Sequence, residues 1–134
     1  MIVLDASAAV ELVLQTSRAE RIAARALDPA ERIHAPHLID VEVAQVLRRL
    51  VHAKELTTAR GGLALADFTD LVIERHPHHL FLGRIWSLRA SLSAYDAAYV
   101  ALAEALAAPM LTCDDKLARA HGHSARIELV PMDS

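Results

Sequence analysis

A single cysteine stands in this chain of 134 residues, so no internal disulfide is possible and a reducing compartment is expected. Aromatic residues are scarce, at 4 %, while alanine and leucine abound, and that bias favours helix. Basic residues do not dominate either. The net charge of -3 excludes a uniformly cationic nucleic-acid binder and leaves that task to local basic patches. The first residues, Met1-Ile2-Val3-Leu4-Asp5, lack the basic start and long apolar run of a secretory signal. No apolar stretch is long enough to span a bilayer without charges, so no membrane attachment and a cytoplasmic location are expected. Repeats, linkers and low-complexity tails are absent. What remains is 54 % apolar, enough for a real core, and the length suits a single domain over residues 1–134.

Short apolar runs alternate with helical patterns. Ile2-Val3-Leu4, Arg32 to Ala35, Leu71 to Arg75, Met110 to Cys113 and Ile127 to Val130 read as strands. Ala6 to Leu14 and Ser17 to Leu27 read as helices, the second closed by Asp28-Pro29. Between His37 and Ala53, the residues Ile39, Val43, Val46, Leu47 and Leu50 recur at three- and four-residue steps, one face of an amphipathic helix. Thr57-Thr58 caps a further helical stretch, and His78 to Leu92, Ala94 to Ala107 and Asp114 to His121 complete the set. Strands alternating with helices predict a three-layer α/β/α sandwich around a mostly parallel sheet.

Open sheets of this kind bind ligands at the carboxyl ends of their strands. Asp5 ends the first predicted strand and Asp114 ends the strand from Met110. Asp96 lies in the first turn of the helix leading into that strand, and Glu42 lies one turn into the amphipathic helix. If the two strands are neighbours, these acids converge. Converging carboxylates repel, and without a cation at least one is pushed toward protonation. Oxygen-only ligands suit a hard ion, Mg²⁺ or Mn²⁺, and not Zn²⁺. Such an ion lowers the pKa of a bound water and stabilises developing charge in phosphodiester hydrolysis. No Ser-His-Asp set offers covalent chemistry instead. With 17 acidic residues in the chain, spacing alone does not single out these four.

Three segments carry a resemblance. They are Ile2-Val3-Leu4-Asp5-Ala6-Ser7-Ala8; Pro36-His37-Leu38-Ile39-Asp40-Val41-Glu42-Val43 with Leu47-Arg48-Arg49; and Ser93-Ala94-Tyr95-Asp96-Ala97-Ala98-Tyr99 through Glu104, then Pro109 to Asp114. In order and spacing they resemble the PIN domain, and in particular VapC-type toxins of bacterial toxin–antitoxin pairs. The resemblance implies a Mg²⁺- or Mn²⁺-dependent endoribonuclease with Asp5, Glu42, Asp96 and Asp114 as catalytic metal ligands. Ser7 and Thr112 match supporting hydroxyl positions. It also implies an RNA substrate, a cognate antitoxin and a homodimer. The family's Thr-x-Asp pattern selects Asp114 over Asp115, which reads as a first-turn acid favoured by the helix dipole. Two other readings stand beside this one: an RNA-processing nuclease without antitoxin, and a non-catalytic domain that binds RNA or a partner.

Each site residue also has a plainer reading. Asp5 is placed to cap the helix from Ala6, and Glu42 alone reads as a solvated helix residue. Asp40 reads as a first-turn acid off the face of Glu42. Tyr95 and Tyr99 read as packing residues with a polar tip, Glu104 as a surface residue, Trp86 as core or dimer interface, and Cys113 as a buried small hydrophobe. Arg48, Arg49, Lys116 and Arg119 are candidate RNA phosphate contacts or a solvated face. His76, His78 and His79 read as a polar turn. His34 with His37, and His121 with His123, lack the helical spacing of a zinc site.

Overall fold

The computed structural model describes residues 1–132, so the last two residues of the expected domain lie outside them. The chain runs β1 (Ile2–Leu4), α1 (Ala6–Val13), α2 (Ala19–Ala26), β2 (Ile33–Pro36), α3 (Leu38–His52), α4 (Thr58–Asp70) and β3 (Ile73–His76). A 3₁₀ turn (His78–Phe81) then leads to α5 (Leu82–Ser87), α6 (Ala94–Leu106), β4 (Met110–Thr112), α7 (Asp115–Ala118) and β5 (Ile127–Leu129). The strands form one sheet in the order β3-β2-β1-β4-β5, and every pairing is parallel. Short apolar runs such as Ile2-Val3-Leu4, fully buried here, suit strands covered on both faces.

Helices α1 to α4 pack with one another, whereas α5 and α6 pack together and α6 lies along β1, β2 and β4. Right-handed crossovers put these two groups on opposite faces of the sheet, which gives the expected three layers. Helix α6 is the buried one. Residues Ala97 to Ala103 are all buried, and its small alanines let the backbone lie close to the strands. Tyr99, Phe68, Ile22 and Leu102 are among the largest fully buried side chains, each stabilising by roughly 1.5–3 kcal/mol. Among the described residues no helix is long and apolar enough to cross a membrane.

The sheet order places the site. The chain builds outward from β1 through β2 to β3, then returns past β1 to lay down β4 and β5. The reversal falls between β1 and β4, and ligands bind beyond the carboxyl ends at such a switch point. In register, Leu4 lies opposite Leu111, so Asp5 follows directly beside Thr112.

Several boundaries differ from the sequence reading. Val72 is 88 % exposed and Leu71 closes α4 through a bond from its N–H to the Phe68 carbonyl, so β3 starts at Ile73. The expected helix from His78 to Leu92 is broken into the 3₁₀ turn, the short α5 and a turn, and few of its side chains are buried. Helix α2 starts at Ala19 because Thr16 and Ser17 form a turn. Helix α7 stops at Ala118, before Gly122, whose φ of 87° no helix adopts.

Candidate active site

Asp5 is held from three directions. It caps α1, its Oδ1 accepting from the Ala8 N–H at 2.9 Å, and the Ser7 hydroxyl donates to the same oxygen at 2.7 Å. Across the β1–β4 ladder the Thr112 hydroxyl donates to Oδ2 at 2.5 Å. The capping reading of Asp5 is met by its contact with Ala8. A carboxylate has about four lone-pair sites, and these three bonds leave Oδ2 with room for one more partner. The two supporting hydroxyls are themselves anchored: Ser7 Oγ accepts from the Cys113 N–H at 3.1 Å and Thr112 Oγ1 from the Asp114 N–H at 3.0 Å.

The other three acids come from three further elements. Asp114 caps α7, its Oδ1 accepting from the Lys116 N–H at 2.9 Å. Asp96 sits in the first turn of α6, whose cap Ser93 accepts from the Asp96 N–H at 3.1 Å. Glu42 extends from α3, and the Tyr99 hydroxyl of α6 donates to its Oε1 at 2.6 Å. Asp5, Glu42, Asp96 and Asp114, with Ser7, all line one cavity of about 980 Å³. Asp115 does not line it.

The electrostatics follow from burial without cations. Asp5 is 5 % exposed, and desolvation pushes its carboxyl up to about 6 against the pull of its three hydrogen bonds, with the Asp96 charge adding to the rise. Burial also raises Glu42, opposed by the Tyr99 bond and helped by Asp96. Asp96 is raised by burial and then by Asp114. Asp96 is thus the acid that the others feel. None of the four makes an ion pair with a lysine or arginine among the described residues. An oxygen-only set of this kind, partly desolvated and lacking internal countercharge, fits a hard divalent cation.

The remaining sequence candidates divide. Arg49 is exposed on α3 and lines the cavity, while Arg48, Lys116 and Arg119 are exposed outside its lining. Asp40 points elsewhere, paired by both oxygens with Arg75 at 2.8 Å. Glu104 is no free surface residue: its side chain is 13 % exposed and binds Arg84 and Ser124. Trp86 is 67 % exposed, so it is not core; the Arg89 guanidinium lies 4.7 Å from its ring centroid. Cys113 is half-buried against the core, and burial pushes its thiol up. Sequence reasoning missed the role of Tyr99 as a donor to Glu42, since its partner is 57 residues away. It also passed over Glu11, Gln45 and Glu55, which line the same cavity.

Residues 2–122 match the PIN domain family. The chain belongs to that family. It is 45 % identical over 130 residues to ribonuclease VapC12 of Mycobacterium tuberculosis, covering 97 % of this chain and 99 % of the relative. It is 44 % identical over 131 residues to a VapC ribonuclease of Mycobacterium bovis, covering 98 % and 99 %. Among solved structures it is similar to M. tuberculosis VapC20, described as a sarcin–ricin loop cleaving toxin. That likeness has a TM-score of 0.68 at 16 % identity over 92 % of this chain and 97 % of the other, and supports the fold.

Proposed function

We propose that this PIN-domain protein is a metal-dependent endoribonuclease, the toxin of a toxin–antitoxin pair, with residues 1–134 acting as one nuclease domain. The observation that carries the reading is the gathering of Asp5, Glu42, Asp96 and Asp114, unpaired by any cationic side chain among the described residues, in one cavity at the switch point of the sheet. The VapC ribonucleases that match nearly the whole chain support the reaction and the toxin role.

In this reading the four acids hold Mg²⁺ or Mn²⁺, which supplies a water acidic enough to lose its proton near neutral pH and charge to match the phosphate. The chain's own residues do the rest. Ser7, Ala8 and Thr112 fix the Asp5 carboxylate so that one oxygen faces the cavity. Tyr99 fixes Glu42 in the same way. Asp5, Glu42 and Asp96, their carboxyls raised chiefly by burial, are the cavity groups that would take up a proton, and no histidine lines the cavity. Arg49 at the cavity wall meets the RNA backbone. Exposed Leu80, Leu82 and Trp86 on the 3₁₀ turn and α5 offer an apolar face to a second copy in a homodimer. A cognate antitoxin restrains the enzyme.

The purified chain is expected to cleave RNA with Mg²⁺ or Mn²⁺ and to stop on chelation. Asp96→Asn is expected to abolish cleavage with the fold intact by circular dichroism. Full activity of that variant, or unchanged activity in chelator, overturns the mechanism. An upstream reading frame for a DNA-binding antitoxin, whose product blocks cleavage, separates the toxin from an RNA-processing nuclease.

A further inference from the structure

The sheet brings together a second set of ligand groups that lies apart from the acidic cavity. His34 of β2 is in register with Glu74 of β3, and His76 follows Glu74 by two residues, so all three side chains share one face of the sheet. His34 Nδ1 lies 2.8 Å from His76 Nε2 and 3.2 Å from Glu74 Oε2. Among the described residues this is the one group of three or more His, Cys, Asp or Glu whose ligand atoms all lie within 4.8 Å of one another. None of the three lines the acidic cavity.

Protons alone do not satisfy this cluster. His34 is 4 % exposed, and burial lowers its proton affinity, so the neutral ring is favoured. A neutral ring carries one proton. On Nδ1, that proton serves either Glu74 or His76, not both well. On Nε2, it finds no partner among the described residues, since that nitrogen is buried, and the Nδ1 lone pair then faces the Glu74 carboxylate. One divalent cation between the groups makes all three contacts favourable at once.

We propose that His34, Glu74 and His76 form a binding site for a borderline divalent cation, with Zn²⁺ as the natural probe, distinct from the carboxylate site. Two imidazoles and one carboxylate suit Zn²⁺ and are a poor match for Mg²⁺. Ligand atoms on one tetrahedral Zn²⁺ stand about 3.3 Å apart, given bond lengths of roughly 2.0–2.1 Å. The observed spacings need only a small opening. Buried His34 provides the fixed ligand, while half-buried His76 and exposed Glu74 provide the adjustment and the open path. Arg32 competes weakly, since it meets the other Glu74 oxygen at 3.9 Å and both side chains are mostly exposed. The ion clamps β3, the edge strand, to β2. The His76 carbonyl also accepts from the His37 N–H at 2.9 Å, so the clamp acts where the chain turns into α3.

The test is a Zn²⁺ titration of the full chain in a large excess of Mg²⁺, read by competition with a chromophoric chelator and by thermal melting. One equivalent of Zn²⁺ is expected to bind and to raise Tm, and Co²⁺ in its place is expected to show the visible absorption of a nitrogen-ligated site. His76→Ala and Glu74→Gln are each expected to weaken Zn²⁺ binding by about 100-fold and to abolish the Tm rise, whereas Asp5→Asn leaves both intact. Glu74 is exposed, so its variant folds even where the histidine variant does not. Absence of Zn²⁺ binding in excess Mg²⁺ overturns the proposal. So does binding that survives Glu74→Gln and His76→Ala, or binding lost in Asp5→Asn.

Discussion

Where the strands of the sheet begin, Glu31 and Glu104 are held by cations; where the strands end, Asp5, Glu42, Asp96 and Asp114 have none among the described residues. At the first end Glu31 lies between the N-terminal ammonium, 2.7 Å away, and Arg25, and Arg25 also binds Glu128 at 2.8 Å. Glu104, near the close of α6, is bound by Arg84 at 2.8 Å and by Ser124. These contacts hold Glu31 below the usual carboxylate range and Glu104 down at about 2. At the second end Asp5, Glu42 and Asp96 are raised, chiefly by burial. The same residue type is thus used for cohesion at one edge and kept short of countercharge at the other. A fold tolerates the second arrangement only where other contacts over-determine it, and such sites are candidates for chemistry.

The largest test of this contrast is Asp5→Asn. RNA cleavage with Mn²⁺ is expected to fall by about a thousandfold or more, while the variant melts above the wild type in metal-free buffer at pH 7. Asparagine keeps the cap to Ala8 and a polar partner for Thr112 but sheds the buried charge. A variant that melts lower and cleaves normally breaks the contrast.

Acid titration sharpens it. Asp5 has a folded pKa of about 6 against an ordinary value of 3.8, so its contribution to stability is full below 3.8 and is lost as pH rises through 6. In metal-free urea unfolding, that loss is on the order of 3 kcal/mol between pH 4 and pH 7, and it vanishes in Asp5→Asn. Glu104 behaves oppositely. Its contribution is full above 4.5 and is lost as pH falls toward 2, so Glu104→Gln destabilises at pH 7 and not at pH 2.

Tyr99→Phe is expected to weaken Mn²⁺ binding about tenfold by calorimetry, since Glu42 loses its fixed orientation, with about 1 kcal/mol of stability lost. The smallest effect belongs to Arg25→Gln. Its side chain is 34 % exposed, so the loss is expected to stay under about 1 kcal/mol, and the cleavage rate is expected not to change. A large drop in cleavage there would tie the two edges together and end the comparison.

The sequence made much of the architecture legible. Ile2-Val3-Leu4 and Met110-Leu111-Thr112 are apolar runs ending at acids, and buried parallel strands are written that way. Ser93 before an alanine-rich stretch announces α6 through its cap. The four acids were visible from motif and strand ends, and the cavity gathers them. What stayed hidden depends on pairs distant in sequence. Tyr99 with Glu42, Arg75 with Asp40, and His34 with His76 meet across 57, 35 and 42 residues, and no local spacing encodes them. The helix expected at His78 to Leu92 is shorter than its pattern suggested: only Ile85, Leu88 and Leu92 of that segment are buried, too few to hold a long helix.

The bond from Thr112 to Asp5 spans 107 positions of the chain. Asp5 leaves the ribosome well before Thr112 and Asp114 do. Until Thr112 and Asp114 are made, the nascent polypeptide carries Asp5 without its clamp and without the full set of acids. The centre comes into being only when β4 slots in beside β1, a late and non-local step. Translation products that end before residue 110 lack Thr112 and Asp114, so they are expected to be inert in the RNA cleavage assay.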